Sequence, residues 1–375
     1  MTRPRLPAHR LRVGRRRREP RNEAEPSFDG LELEEARGEL IHVIDWTEGG
    51  APFGPTLAEL RHVAELDDPK AGWVRAKRAL LDVLAEQGHV VVDVGRLTKI
   101  GSGLSRDVYG AWVEHEEGRE QKYAVLLPRA DAGSDLDDRT VREARLLAWL
   151  GGLALPFRTP AAIGTTCDDA GHVVLVCTYV RGEPLDLRAG RQHAVKPWEI
   201  VGTVAAAIHT VSGEDVEERT IGFATRRAHA EDALRVLEGI EAPELGEAAA
   251  WAREHLPPDE PSSLLHGDLL GQNILLGLGE PHAVIDWERA MRGDPAYDLA
   301  IITRGVRQPF QIAAGLEKLL DAHASHGGHS VTCAHVRLHE LCLFAHWYRE
   351  ALAGRGAHSP AVELDRLRRF ARRLR

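Results

Sequence analysis

Cysteine is scarce: the chain has 4 in 375 residues, Cys167, Cys177, Cys333 and Cys342. Their spacings fit no metal-binding pattern, and Cys333 and Cys342 fall inside apolar helical patterns that mark them as packing residues. Reduced thiols and a cytoplasmic location are the expectation. No apolar run reaches membrane-spanning length, and no hydrophobic segment follows the basic N-terminus, so neither a membrane partner nor export is expected. Positive charge is in overall deficit, with Lys and Arg at 48 against 57 Asp and Glu, a formal net charge of -9. Residues 1–21 reverse that balance. They hold Arg3, Arg5, Arg10, Arg12, Arg15, Arg16, Arg17, Arg18 and Arg21 and almost nothing apolar, the composition of a disordered tail. Such a tail can touch nucleic acid or an anionic surface by non-specific charge. The simpler readings are a solubilising tail or residues upstream of the functional start.

The length suits two lobes, each with a sizeable core. Residues 22–88 read as an N-terminal extension with an acidic patch (Glu32, Glu34, Glu35, Glu39), a short strand at Ile41–Ile44 and a helical turn or two at Leu57–Leu66. Its last part, 71–87, reads as an amphipathic helix on Trp73, Val74, Leu80, Leu81 and Leu84, stopped by Gly88. Strands follow at His89–Val94, Leu97–Ile100, Val108–Val113 and Lys122–Leu127, an antiparallel succession. Between two of them lies Gly101-Ser102-Gly103-Leu104-Ser105-Arg106. Its glycines let backbone N–H groups approach phosphates, and Ser102 and Ser105 add hydroxyls, although a GxG in a hairpin is also an ordinary turn. A helix at Thr140–Leu150 ends at Gly151-Gly152, and an apolar strand at Val173–Val176 runs into Thr178-Tyr179-Val180-Arg181-Gly182. Residues 89–182 thus form a sheet-rich lobe and 183–375 a helical one: an α+β chain. Helices are expected at Glu199–Val211, across 229–255 with a break near Pro243, and at Ile312–His323, Val336–Leu352 and Val362–Leu374.

Chemistry concentrates between Leu264 and Ala300. The runs Ile274–Leu276 and Ala283–Ile285 are separated by Gly277, Gly279 and Pro281, a hairpin signal. Asp268 and Asn273 precede the first run and Asp286 ends the second, so the hairpin brings the three together. An amide oxygen and a carboxylate suit a hard divalent ion that shares its remaining positions with phosphates and water. A second carboxylate nearby can take a proton from an attacking hydroxyl. Two local alternatives stand beside this: Asp286 as cap of a helix from Trp287, and Asp294 as cap of one beginning at Pro295.

His266-Gly267-Asp268 with Asn273, followed by Ile285-Asp286-Trp287 and the run VIDWERAMRGDPAYDLA, resembles the aminoglycoside phosphotransferase family of small-molecule kinases, including its macrolide and hygromycin types. The resemblance implies a two-lobe, protein-kinase-like fold. It implies a catalytic loop at 264–277 with Asp268 as catalytic carboxylate, and a metal segment at 284–288 with Asn273 and Asp286 as Mg2+ ligands. Asp298 becomes a buried support of the loop, His266 a residue that holds it, and His209 structural. The nucleotide, ATP or GTP, would meet Gly101, Ser102, Gly103, Ser105, Arg106, Lys122 and Glu143, and its base the backbone of Tyr179 and Val180. The acceptor would be a small hydroxyl-bearing natural product, with Glu340, His346, Tyr348 and Glu350 as loose candidates for its pocket.

One departure is informative. The family places a Lys or Arg on the third strand over the phosphates, where YAVLLPR has Leu126, so Glu143 needs another partner: Arg106, Lys122 or Arg129. Without a clamp the chain could be a non-catalytic nucleotide binder. A metabolic kinase of choline, a sugar or an amino-sugar is the other rival. A protein kinase is disfavoured, because the HGD lacks the activation-loop arginine and no APE-like segment follows.

Overall fold

The computed structural model describes strands at 33–36, 39–42, 45–46 and 52–53, then residues 69–374 except 96, 104, 117, 130–132, 134, 189–195 and 278. The chain divides into two compact units, Met1–Gly72 and Trp73–Arg375. In the first, β1 (Leu33–Ala36) pairs antiparallel with β2 (Glu39–His42), and β3 (Asp45–Trp46) with β4 (Pro52–Phe53). The basic tail and the turn expected at Leu57–Leu66 lie outside the described residues.

In the second unit, the helix expected at 71–87 is α1 (Pro69–Glu86). Its buried positions Ala76, Ala79, Leu80, Val83 and Leu84 recur at three- and four-residue steps and form one stripe. Val74, read as part of that stripe, is 54% exposed and lies off it. Gly88, with φ +75, stops the helix in the left-handed conformation that glycine adopts freely.

The stripe packs on an antiparallel sheet of β5 (Val91–Val94), β6 (Thr98–Ser102), β7 (Arg106–His115), β8 (Glu120–Pro128), β9 (Ala162–Cys167) and β10 (Val173–Thr178), ordered β5-β7-β8-β10-β9 with β6 also on β7. Side chains alternate across a strand. Tyr109, Ala111 and Val113 of β7 and Tyr123, Val125 and Leu127 of β8 therefore join α1 in one core. The opposite face presents Val108 against Leu126 and Gly110 against Ala124. Helix α2 (Leu136–Leu150) packs against β9 and β10.

The helical lobe comprises α3 (Pro197–His209), α4 (Arg226–Glu238), α5 (Gly246–Glu254), α6 (Ala296–Thr303), α7 (Gly315–Ser325), α8 (Cys333–Leu352) and α9 (Pro360–Ala371). Gly202 lets α3 and α7 approach: a Cβ there would stand 2.6 Å from that of Ala322. Two small sheets cradle the chemistry-bearing stretch. One is β11 (Glu183–Pro184), β14 (Ile274–Leu276) and β15 (Ala283–Val284); the other is β12 (Ile221–Gly222), β16 (Met291–Gly293) and β13 (Ser263–Leu265). The architecture is a two-lobe, kinase-like α+β fold. Among the described residues no helix is long and apolar enough to cross a membrane.

Candidate active site

The loop after β13 is fixed from below by one carboxylate. Asp298, in the first turn of α6 and fully buried, accepts from the His266 amide at 2.8 Å and the Gly267 amide at 2.9 Å. Burial by itself would raise the Asp298 carboxyl; the His209 hydrogen bond and charge, with His266, hold it below its ordinary value. His209 Nε2 donates to Asp298 at 3.1 Å, and its Nδ1 meets His323 Nε2 at 3.0 Å, so the support runs back through α3 to α7. Gly267 has φ +79, and a Cβ there would fall 2.0 Å from the Arg289 carbonyl, so only glycine fits. The His266 ring is tied at both ends: Nε2 donates to the Ile285 carbonyl at 3.0 Å and Nδ1 accepts from the Asp268 amide at 3.3 Å. Burial pushes His266 below its ordinary pKa, which favours this neutral role. Asp268 itself is only partly buried, at the mouth of the loop.

The hairpin pairs Ile274 with Val284 and Leu275 with Ala283. Asn273 Nδ2 donates to the Asp268 carbonyl at 2.9 Å, and the Ile285 amide donates to the Asn273 carbonyl at 3.0 Å. One residue thus ties the loop bearing Asp268 to the strand end bearing Asp286. Asp286 takes φ 68 and ψ 60, a left-handed conformation that costs a non-glycine residue about 1–3 kcal/mol and clusters at functional sites. Its side chain makes no capping hydrogen bond, which corrects the helix-cap alternative. Trp287 anchors the turn, stacked on Phe157 with centroids 6.5 Å apart and donating to the Val284 carbonyl at 3.1 Å.

Burial, then Glu288 and Asp268, push the Asp286 carboxyl up to about 6. A buried carboxylate among carboxylates is a site that a cation would relieve. With Nδ2 of Asn273 engaged, Oδ1 is its free coordinating atom. Among the described residues no three His, Cys, Asp or Glu side chains form a metal cluster. One amide oxygen and one carboxylate suit an ion that takes its remaining ligands from phosphates and water, the habit of Mg2+.

On the sheet side, the Gly103 amide donates to the Arg106 carbonyl at 2.7 Å and closes the turn that begins at Gly101 and Ser102. Ser102 Oγ donates to Asp107 at 2.7 Å, whereas Ser105 Oγ reaches across to Glu288 at 2.9 Å. Arg106 answers the question raised by Leu126. Its guanidinium pairs with Glu143 and donates to Thr140 Oγ1 at 2.9 Å, both on α2. Lys122 lies elsewhere, its Nζ 3.8 Å over the Tyr179 ring, and Arg129 stands 3.9 Å from Asp107. The Tyr179 amide is engaged by the Lys122 carbonyl at 3.0 Å.

Two further readings are corrected. Asp294 does not cap α6; it is buried, 2.8 Å from Arg226 Nε and 2.9 Å from His339 Nε2, in a network joining α4 and α8. Glu340 is fully buried, accepting from the Gly305 amide at 2.8 Å and pairing with Arg337 at 2.6 Å, which leaves it no acceptor-pocket role. His346, Tyr348 and Glu350 stay at least partly accessible on α8. Glu288, Arg139 and Thr140 were missed; the only signal for Glu288 was its place directly after the IDW.

Residues 96–330 match the model of the family described as "Phosphotransferase enzyme family". Viomycin phosphotransferase of Streptomyces vinaceus is 30% identical over 186 residues, 44% of this chain and 62% of that protein. The chain spans 8% and 62% of the lengths of the curated relatives it matches. Of the solved structures, a macrolide 2'-phosphotransferase apoenzyme from Brachybacterium faecium aligns with a TM-score of 0.56 at 25% identity, over 76% of this chain and 95% of that one. The GDP complex of aminoglycoside 2'-phosphotransferase-IIIa aligns with a TM-score of 0.56 at 14% identity, over 75% and 94%, a likeness of fold.

Proposed function

The chain belongs to the phosphotransferase enzyme family, and from that premise we propose that it transfers the γ-phosphoryl group of ATP or GTP to a hydroxyl of a small antibiotic of macrolide or aminoglycoside type, in the cytoplasm. The observation that supports the reading is the tie through Asn273: its side chain holds the Asp268 carbonyl within the loop, and its own carbonyl accepts across the β14–β15 hairpin from Ile285, the residue before Asp286. Asp268 orients the acceptor alcohol and takes its proton as the oxygen bonds to the terminal phosphorus and the bond to the nucleoside diphosphate breaks. Asn273 and Asp286 would hold Mg2+, which supplies charge compensation on the phosphates. The Gly101–Arg106 turn would cover those phosphates. Positioning and electrostatics carry the rate.

The rival of a non-catalytic binder drew on Leu126, and the Arg106–Glu143 pair supports the enzyme instead by supplying a partner for the helix glutamate. The test is a panel of macrolides, aminoglycosides, viomycin and choline, each incubated with Mg-ATP and separately with Mg-GTP. Gain of one phosphoryl mass by an antibiotic supports the reading. Transfer to choline alone moves it to metabolism, and transfer to nothing in the panel, with no Asp268-dependent turnover of either nucleotide, overturns it.

A further inference from the structure

On the sheet face opposite α1, Val108 of β7 pairs with Leu126 of β8, and Arg106 with Pro128. Arg106 and Leu126 therefore share that face as diagonal neighbours. The strand position at which a cation was expected is apolar, and the diagonal position beside it holds an arginine whose side chain is only 5% exposed. Its two terminal nitrogens each donate to α2, one to Glu143 and one to Thr140. Its Nε is buried and finds no hydrogen-bond acceptor among the described residues; Glu288, at 3.6 Å, is too far.

A buried guanidinium with one nitrogen left without an acceptor is a site for an oxygen-rich anion. Around it the chain gathers what a phosphate group attracts. Ser105 Oγ, Arg106 and Arg139 Nη1 (3.7 Å) all converge on the Glu288 carboxylate, two residues past Asp286. The other nearby cations are engaged elsewhere: Lys122 over Tyr179, Arg129 toward Asp107. Arginine also suits the longer reach. Its fork can hold the α2 glutamate with one edge and offer Nε with another, which the single nitrogen of lysine cannot do.

We propose that Arg106 is the phosphate clamp of this enzyme, moved by one strand from the Leu126 position on β8 to β7, with the Glu288 carboxylate occupying its phosphate-facing side until a nucleotide arrives. This rests on the phosphotransferase reading and specifies which side chain grips the triphosphate. Glu288 then acts as a positioning residue that keeps Ser105 and Arg106 aimed at one point.

The test titrates the full chain with Mg-ATP and Mg-GTP by calorimetry, with melting temperatures alongside. Arg106→Gln combined with Glu143→Gln removes both charges of the buried pair, so no orphaned carboxylate burdens the fold. The expected result is nucleotide affinity lowered about 10- to 100-fold, the weight of one charge-assisted hydrogen bond. Adding Leu126→Lys to Arg106→Gln alone, with Glu143 retained, should recover at least about tenfold of the loss, because a cation returns to the neighbouring strand beside its glutamate. A parent that binds nucleotide while the double variant binds equally well overturns the clamp and leaves the function standing. A folded Arg106→Gln/Leu126→Lys chain that stays as weak as Arg106→Gln overturns the transposition. A parent that binds neither nucleotide overturns clamp and function together.

Discussion

Asp268 and Asp286 stand on either side of Asn273 yet carry different burdens, and substitution separates them. Asp268 is half-buried and on the proposed mechanism takes the acceptor's proton, so Asp268→Ala should lower kcat by at least about 100-fold, the low end of general-base contributions, while nucleotide affinity holds. Asp286 is buried where a cation is needed, so Asp286→Ala should weaken Mg-nucleotide binding first. Steady-state kinetics on the phosphorylated acceptor, with nucleotide titrations, tell the two apart; equal kcat in Asp268→Ala and the parent would remove its assigned role. These residues could be read from the sequence because they sit within one short stretch whose turn chemistry is local. Glu288 could not be, since its Ser105 partner lies 183 residues away and no local pattern records that meeting.

Long helices were legible, and short strands only where turn residues mark them. The helices expected at Thr140–Leu150 and Val336–Leu352 appear as α2 and α8, each beginning a few residues earlier than periodicity showed, since helix ends carry the weakest sequence pattern. The β14–β15 hairpin was legible because glycine and proline punctuate it. The sheet of β12, β16 and β13 was not: strands of two or three residues carry no alternation, and the pairing of Leu264 with Arg292 is set by the fold around it. At this scale Gly202 invites a test. Gly202→Val would push a branched side chain into Ala322, and overpacking of this kind costs about 1–3 kcal/mol. A melting temperature lowered by several degrees is expected, with the α3–α7 interface the part that loosens; an unchanged melt would mean the helices can separate freely.

For the molecule as a whole, buried histidines set the response to acid. His229, by burial and then the nearby His339, and His323, by burial and then His209, are pushed down to about 3. The His229 ring accepts the Asp294 amide at 3.0 Å through Nδ1, a bond that protonation would break. In the unfolded chain each titrates near about 6.5, so below that pH the unfolded state takes up protons that the folded state refuses. Stability therefore falls on acidification, by up to about 1.4 kcal/mol per pH unit for each ring. Asp286, raised to about 6, works in the opposite sense. Between about pH 7 and about pH 6 two rings oppose one carboxylate, so melting temperature should decline; the same scan in Asp286→Asn removes the opposing group, and a flat profile there would show that the two rings admit protons in the folded state.

The backing that α1 gives the sheet also fixes how far the chain can be shortened from its start. Ala76, Leu80, Val83 and Leu84 shield Tyr109, Tyr123 and Val125 from water on one face of the sheet. Removing residues 1–68 leaves that shield intact and should yield a cooperatively folding protein. Removing residues 1–88 uncovers side chains worth about 1.5–3 kcal/mol apiece, so the truncated protein should bind hydrophobic dyes and aggregate. On this account the shortest form that folds alone should begin at α1, whose part is to cover the sheet.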